Sequence, residues 1–216
     1  MPQAFSPTSI LTIKLLILAA LLAIVAAILL LEWRMAPAAE EHAAVMQPIM
    51  FSHKHHVGDV GLDCRYCHTS VEKSGFAGMP STQICLTCHS QLFKDAPMLA
   101  PLHASMATGK PIQWNRVYDL PDFVYFNHSI HIAKGVACIE CHGHVDQMPL
   151  MTRQASLNMQ WCLRCHTHAQ AHVRPLGDVF RMTDMRKLSE QDVVELNRLY
   201  HLQDRRRLTD CSTCHR

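Results

Sequence analysis

The 216-residue chain sets 20 Lys and Arg against 18 Asp and Glu, a formal net charge of +2 with histidines neutral, and is 49% hydrophobic. The near balance of charge gives no signal for nucleic-acid binding, and the length allows one ordinary domain plus a membrane segment. One N-terminal apolar run inflates the hydrophobic share; beyond it aromatics, Leu, Ile and Val are sparse, and a remainder of about 180 residues cannot build an ordinary core from side chains alone.

The first element is that run. Leu15 to Leu31 is uncharged, and extending it back to Ile10 adds only Lys14. At about 1.5 Å per residue such a helix spans a bilayer. Lys14 lies near one end, where it can snorkel, and Trp33 and Arg34 stand where interfacial anchors stand. A cleaved signal peptide is the rival reading, with Met35–Ala39 as a small-residue cleavage site. The run is longer than a usual signal-peptide core, so an uncleaved transmembrane anchor is expected over 1–34. The domain over 35–216 then follows it.

Ten cysteines and 16 histidines dominate the rest. The cysteines fall into five C-x-x-C pairs with none left over: Cys64/Cys67, Cys85/Cys88, Cys138/Cys141, Cys162/Cys165 and Cys211/Cys214. Each pair is followed at once by histidine: His68, His89, His142, His166 and His215. C-x-x-C-H is the attachment signature of c-type haem. Two thiols add to the two porphyrin vinyl groups, so both must sit on one turn of chain, and the adjacent histidine falls under the ring to bind iron. Structural zinc and dithiol redox sites also use C-x-x-C, yet neither requires histidine directly after every pair.

Five covalently bound haem c groups are therefore expected, and they would supply the missing apolar mass. The polypeptide becomes a wrapper, mostly α-helix and irregular coil, with short helices after the C-x-x-C-H turns and little or no sheet. Haem propionates also correct the charge, to roughly −3 fully oxidised and −8 fully reduced. Haem is joined to cysteine outside the cytoplasm in bacteria. This expectation places Met1 inside and the haem domain on the outer face of the cytoplasmic membrane.

A duplication runs through the domain. FSHKHHV, GLDCRYCH and MPSTQICLTCH occupy 51–89; FNHSIHI, GVACIECH, MPL and NMQWCLRCH occupy 126–166. Phe51, His53 and His56 precede Phe126, His128 and His131 by a constant 75 residues. Each copy is a two-haem unit opened by F-x-H-x-x-H. Histidines at i and i+3 of a helical turn lie on nearly one side, and each can reach a different iron as sixth ligand. The stretch 167–216 holds the fifth motif.

F-x-H-x-x-H before a close C-x-x-C-H resembles the class III, cytochrome c7-like multihaem family. The resemblance implies that the first histidine ligates the haem that follows and the second ligates the next. His53 would serve the Cys64/Cys67 haem, His56 that of Cys85/Cys88, His128 that of Cys138/Cys141 and His131 that of Cys162/Cys165. His55 competes with its neighbours in the first copy.

The string GKPIQWNRVYDLPDFVYFNHSIHIAKGVACIECHGHVDQMP, the terminal LTDCSTCHR and the single anchor are similar to the pentahaem cytochrome c subunits of bacterial alternative complex III. That likeness implies an electron-relay subunit of a quinol:electron-acceptor oxidoreductase. Its implied neighbours are an iron–sulfur subunit related to molybdopterin enzymes, polytopic quinol-binding subunits, a mono-haem cytochrome, membrane lipid and a soluble periplasmic electron acceptor.

Two stretches lie outside the repeats. Residues 99–121, with Pro101, Pro111 and Pro121, read as an irregular link, in which Trp114 and Arg116 pack or meet propionates. Ser189 with Asp192 reads as a capping box opening a helix with Val193, Leu196 and Tyr200 on one face. The repeats offer four distal histidines for five haems. The fifth haem must find its sixth ligand among Met148, favoured by the recurring Met-Pro, His201, His172, His103, His144, His168 and Met79. No catalytic residue is expected. A pentahaem reductase needs an open iron and an acid–base pocket, and spare histidines can close every site here. A stand-alone, membrane-anchored multihaem quinol dehydrogenase is the alternative function.

Overall fold

The computed structural model describes residues 6–40, 42–183 and 186–215. Contacts divide the chain into two units, 1–42 and 43–216.

The first unit is one helix, Pro7–Glu40. Pro7 opens it at a position where the missing N–H costs nothing. Pro7–Trp33 is long and apolar enough to cross a membrane, and none of it is buried against protein. Trp33 is exposed; the side chain of Arg34 lies outside the described residues.

The second unit is built of short helices and coil, with no β-strand among the described residues. Only three isolated antiparallel bridges occur there: Ala44 with Thr152, Val124 with His215, and Val136 with Val173. The helices run through the C-x-x-C-H motifs rather than after them: Cys64–Cys67, Thr82–His89, Ile139–His142, Met159–Thr167 and Cys211–Cys214. Local sequence explains three of these starts. Asp63, Asn158 and Asp210 each accept a backbone N–H of the first turn, from Arg65 at 2.8 Å, Trp161 at 2.8 Å and Ser212 at 2.9 Å. Such caps satisfy donors that the helix itself cannot.

Apolar packing is thin, as composition requires. One cluster joins Ile49, Leu99 and Leu102, with Cys85, Leu86 and Trp114 against it. A second joins Val71, Ile132 and Val179, with Cys138 and Phe180 against it. The link is more ordered than expected: Ala100–Thr108 is helical, with Pro101 in its first turn and Gly109 at φ 67° ending it. Proline is tolerated at that start, and glycine accepts the left-handed stop. Burial of Leu102 and Ser105 ties this helix to the core. Trp114 packs there too, and Arg116 pairs with Asp119 at 3.0 Å.

Near the C-terminus the helix Glu190–Leu199 opens with the capping box: Ser189 Oγ accepts the Asp192 N–H at 3.1 Å, and Asp192 Oδ2 accepts the Ser189 N–H at 2.9 Å.

Candidate haem sites

The two F-x-H-x-x-H openings fold alike. His53 caps the π-helical turn Lys54–Asp59, and His128 begins the α-helix His128–Ala133. Phe51 stacks on His56 (4.3 Å, 24°) and meets His53 edge-on (4.9 Å, 85°). Phe126 does the same to His131 (4.7 Å, 28°) and His128 (4.7 Å, 89°). The phenylalanine thus wedges both imidazoles into fixed, divergent directions. The same relation recurs on the backbone, where His56 Nδ1 bonds the Ser52 carbonyl and His131 Nδ1 the Asn127 carbonyl, both at 2.8 Å.

These histidines meet the motif histidines in pairs. Ring centroids are 6.2 Å apart for His56 and His89, 6.4 Å for His128 and His142, and 6.2 Å for His131 and His166. His53 lies within electrostatic reach of His68. Two imidazoles bound through Nε2 to opposite faces of one metal, at about 2 Å per bond and about 1.1 Å from nitrogen to centroid, would be about 6.2 Å apart. The three ring separations therefore fit an iron between His56 and His89, between His128 and His142, and between His131 and His166.

The hydrogen bonds fit the same chemistry. Nδ1 of His68, His89, His128 and His166 bonds the carbonyls of Gly78 (2.7 Å), Leu92 (3.0 Å), Gly75 (2.9 Å) and Leu208 (2.9 Å). His215 Nδ1 reaches the Phe123 carbonyl at 3.3 Å. A carbonyl only accepts, so Nδ1 carries the proton and Nε2 keeps its lone pair for metal. His53 Nδ1 is buried without a hydrogen-bond partner.

Electrostatics keep several of these rings neutral. Burial lowers the pKa of His53 to about 4, reinforced by His68 and His56. Burial lowers His142 to about 4 as well, reinforced by His128, His68 and His53. His131 is lowered chiefly by burial. A neutral imidazole is the ligating form. Among the described residues no three or more His, Cys, Asp or Glu converge on a point that could hold a bare metal ion. No disulfide joins any of the ten cysteines.

The remaining candidates have other engagements. His55 is exposed and faces Asp59 at 3.6 Å. His103 bonds the Lys94 carbonyl through Nε2 at 2.8 Å, leaving only Nδ1. His144 faces Asp146 at 3.5 Å, and His168 bonds Thr167 Oγ1 at 3.0 Å. His172 Nδ1 bonds Glu140 Oε2 at 2.9 Å. His201 sits at φ 48°, and Met79 is exposed. Met148 accepts the Lys54 N–H on its carbonyl (2.9 Å), and its sulfur accepts Thr152 Oγ1 (3.8 Å). The ring beside His215 is Phe123, at 6.0 Å and 27°. No described contact joins Met148 to His215.

Several functional neighbours carry no motif. Tyr118 packs edge-on to His142 (4.5 Å), donates to the Cys141 carbonyl (3.2 Å) and accepts the Gln154 N–H (2.8 Å). The carbonyls of Gly75 and Gly78 orient histidines of both copies. The only sequence signal for this segment is its pair of glycines, one of them at φ 84°.

Helix-borne C-x-x-C-H motifs, opposed histidine rings and the near absence of sheet define a multihaem c-type cytochrome. A family model described as "Cytochrome c7 and related cytochrome c" matches residues 49–108 and 124–216, and the chain belongs to that family. Its cofactor class is covalently bound haem c, and its role is that of an electron carrier. The chain is also similar to the "Menaquinone reductase, multiheme cytochrome c subunit" of Nitratidesulfovibrio vulgaris, 42% identical over 97 residues. That match covers 44% of this chain and 45% of the relative, so the chain spans about half the length of the curated relative it matches.

Proposed function

We propose that this chain is a single-pass, membrane-anchored pentahaem cytochrome that relays electrons between a membrane quinone/quinol complex and a periplasmic acceptor. The observation that carries it is the set of opposed histidine pairs, each joining a repeat histidine to a motif histidine. Haem supplies a one-electron couple at each site when bound. The chain's own residues do the rest. The ten motif cysteines would hold the haems by thioether bonds, and His68, His89, His142, His166 and His215 would each supply one iron ligand. His53, His56, His128 and His131 would supply the second ligand at four sites, which would shut out small ligands and limit those sites to electron transfer. Carbonyl-anchored Nδ1 atoms and the Phe51 and Phe126 wedges hold the rings in place.

The fifth site has no histidine pair behind it. Met148 is the ligand its Met-Pro motif supports, with His201 next. A thioether there would raise the potential relative to a bis-histidine site. Met148→Ala should then remove a His/Met absorbance band in the far red, whereas His201→Ala would make one haem high spin if His201 is the ligand.

For the complex, the alternative complex III-like motifs support a quinol-oxidising assembly. It would contain an iron–sulfur, molybdopterin-enzyme-like subunit, polytopic quinol-binding subunits and a mono-haem cytochrome. The menaquinone reductase relative supports electron flow in the opposite direction. Purification in mild detergent, followed by adding menaquinol to the oxidised complex and menaquinone to the reduced one, separates the two. Haem reduction by menaquinol supports the first direction, and haem oxidation by menaquinone alone supports the second. Quinol activity of the isolated chain would instead favour a stand-alone quinol dehydrogenase.

A further inference from the structure

We propose that the five haem sites lie in the spatial order second, first, third, fourth, fifth, forming one unbranched relay whose ends are the Cys85/Cys88 and Cys211/Cys214 sites. The order rests on the haem assignment above and adds to it a path that differs from the order along the chain.

Each junction has its own contacts. Between the second and first sites, Tyr66 lies inside Cys64/Cys67 and Thr87 inside Cys85/Cys88, and their hydroxyls bond at 2.8 Å. Between the first and third sites, the first copy and the second share packed side chains. Val71, Ile132 and Val179 form one core there, with Cys138 packed on it, and His128 Nδ1 reaches back to Gly75 of the first copy. The first opening also meets the chain just after the third motif, where the Lys54 N–H bonds the Met148 carbonyl at 2.9 Å.

Between the third and fourth sites, His128 and His131 project from one helix toward His142 and His166, the ring centroids 6.4 Å and 6.2 Å apart. Between the fourth and fifth sites, His166 Nδ1 bonds the Leu208 carbonyl three residues before Cys211. The Tyr125 N–H bonds the Cys214 carbonyl at 2.6 Å, while the adjoining Phe126 stacks on His131.

The two copies are thus joined through their first members, which turns the second site outward. Exposure agrees: Cys88 and Cys211 are the exposed cysteines, one at each proposed end, and the other eight are partly buried. A relay following the chain would instead set the second site against the third.

Methionine tags test the order. His53→Met, His56→Met, His128→Met and His131→Met should each give one haem a far-red His/Met band and a raised potential. In samples poised so that only the tagged haem is reduced, the EPR signals of its ferric neighbours should change. The proposed order predicts that the His56→Met tag alters one neighbour, the first site, and that the His53→Met tag alters two, the second and third. A His56→Met tag that alters both the first and third sites overturns the order. Tags that give no His/Met band overturn the ligand assignment on which the order rests. If tagged chains fail to accumulate, iron positions from anomalous scattering of the haem-loaded wild-type chain decide. The order requires the iron at His142 to lie nearer that at His68 than that at His89, and the reverse refutes it.

Discussion

His131 and His166 face each other with ring centroids 6.2 Å apart, and His56 and His89 repeat that distance in the first copy. Motif histidines are fixed by their cysteines, so the repeat histidines are the ones whose loss opens an iron. His56→Ala or His131→Ala should convert one haem in five, about a fifth of the haem absorbance, to a high-spin form that binds CO when reduced. Optical and EPR spectra check this. Variants that remain wholly low spin would refute the pairing.

His55 supplies the matched control. It neighbours two proposed ligands in sequence, yet it is turned out toward Asp59. His55→Ala should leave every haem low spin. A high-spin signal in this variant would move the ligand assignment from His53 or His56 to His55.

Two glycines hold the wrapper close. At Gly135, φ is 76°, and an added Cβ would press on the Arg174 carbonyl and come within 2.9 Å of Tyr200 Cε2. At Gly58 an added Cβ would strike the Asp146 carbonyl. Gly135→Ala and Gly58→Ala should each lower stability by about 1–3 kcal/mol through overpacking, with added backbone strain at Gly135. Thermal unfolding followed at the haem band measures this. Unchanged melting of both variants would show that these contacts relax freely.

Much of this arrangement was legible in the sequence because covalent haem attachment leaves a rigid signature. C-x-x-C-H fixes cysteine and histidine on one turn, the duplicated F-x-H-x-x-H marks repeat histidines, and Ser189 with Asp192 marks a helix start. The Phe51 and Phe126 wedges, the Tyr118 contacts with Cys141 and His142, and the Gly75 and Gly78 carbonyls were not legible. They act through backbone atoms and ring packing between segments far apart in sequence, which no local pattern encodes. The helix Ala100–Thr108 was hidden by its prolines, since Pro101 falls at a helix start where proline does no harm. The helices over the motifs themselves follow from capping residues such as Asp63, Asn158 and Asp210, which the motif draws the eye away from.

Topology has a direct check. If Pro7–Trp33 crosses the membrane with the haem domain outside the cytoplasm, protease added to intact spheroplasts should degrade the haem domain and leave a short membrane-bound fragment. Protection of the domain until the spheroplasts are lysed would reverse the orientation.

The central claim is that every C-x-x-C-H motif carries haem c. Intact mass of the purified, denatured protein tests it most directly, because thioether bonds survive unfolding. The account predicts the full polypeptide plus five haem masses, with haem retained through acid-acetone extraction. A fully loaded protein carrying four haems or fewer would contradict it.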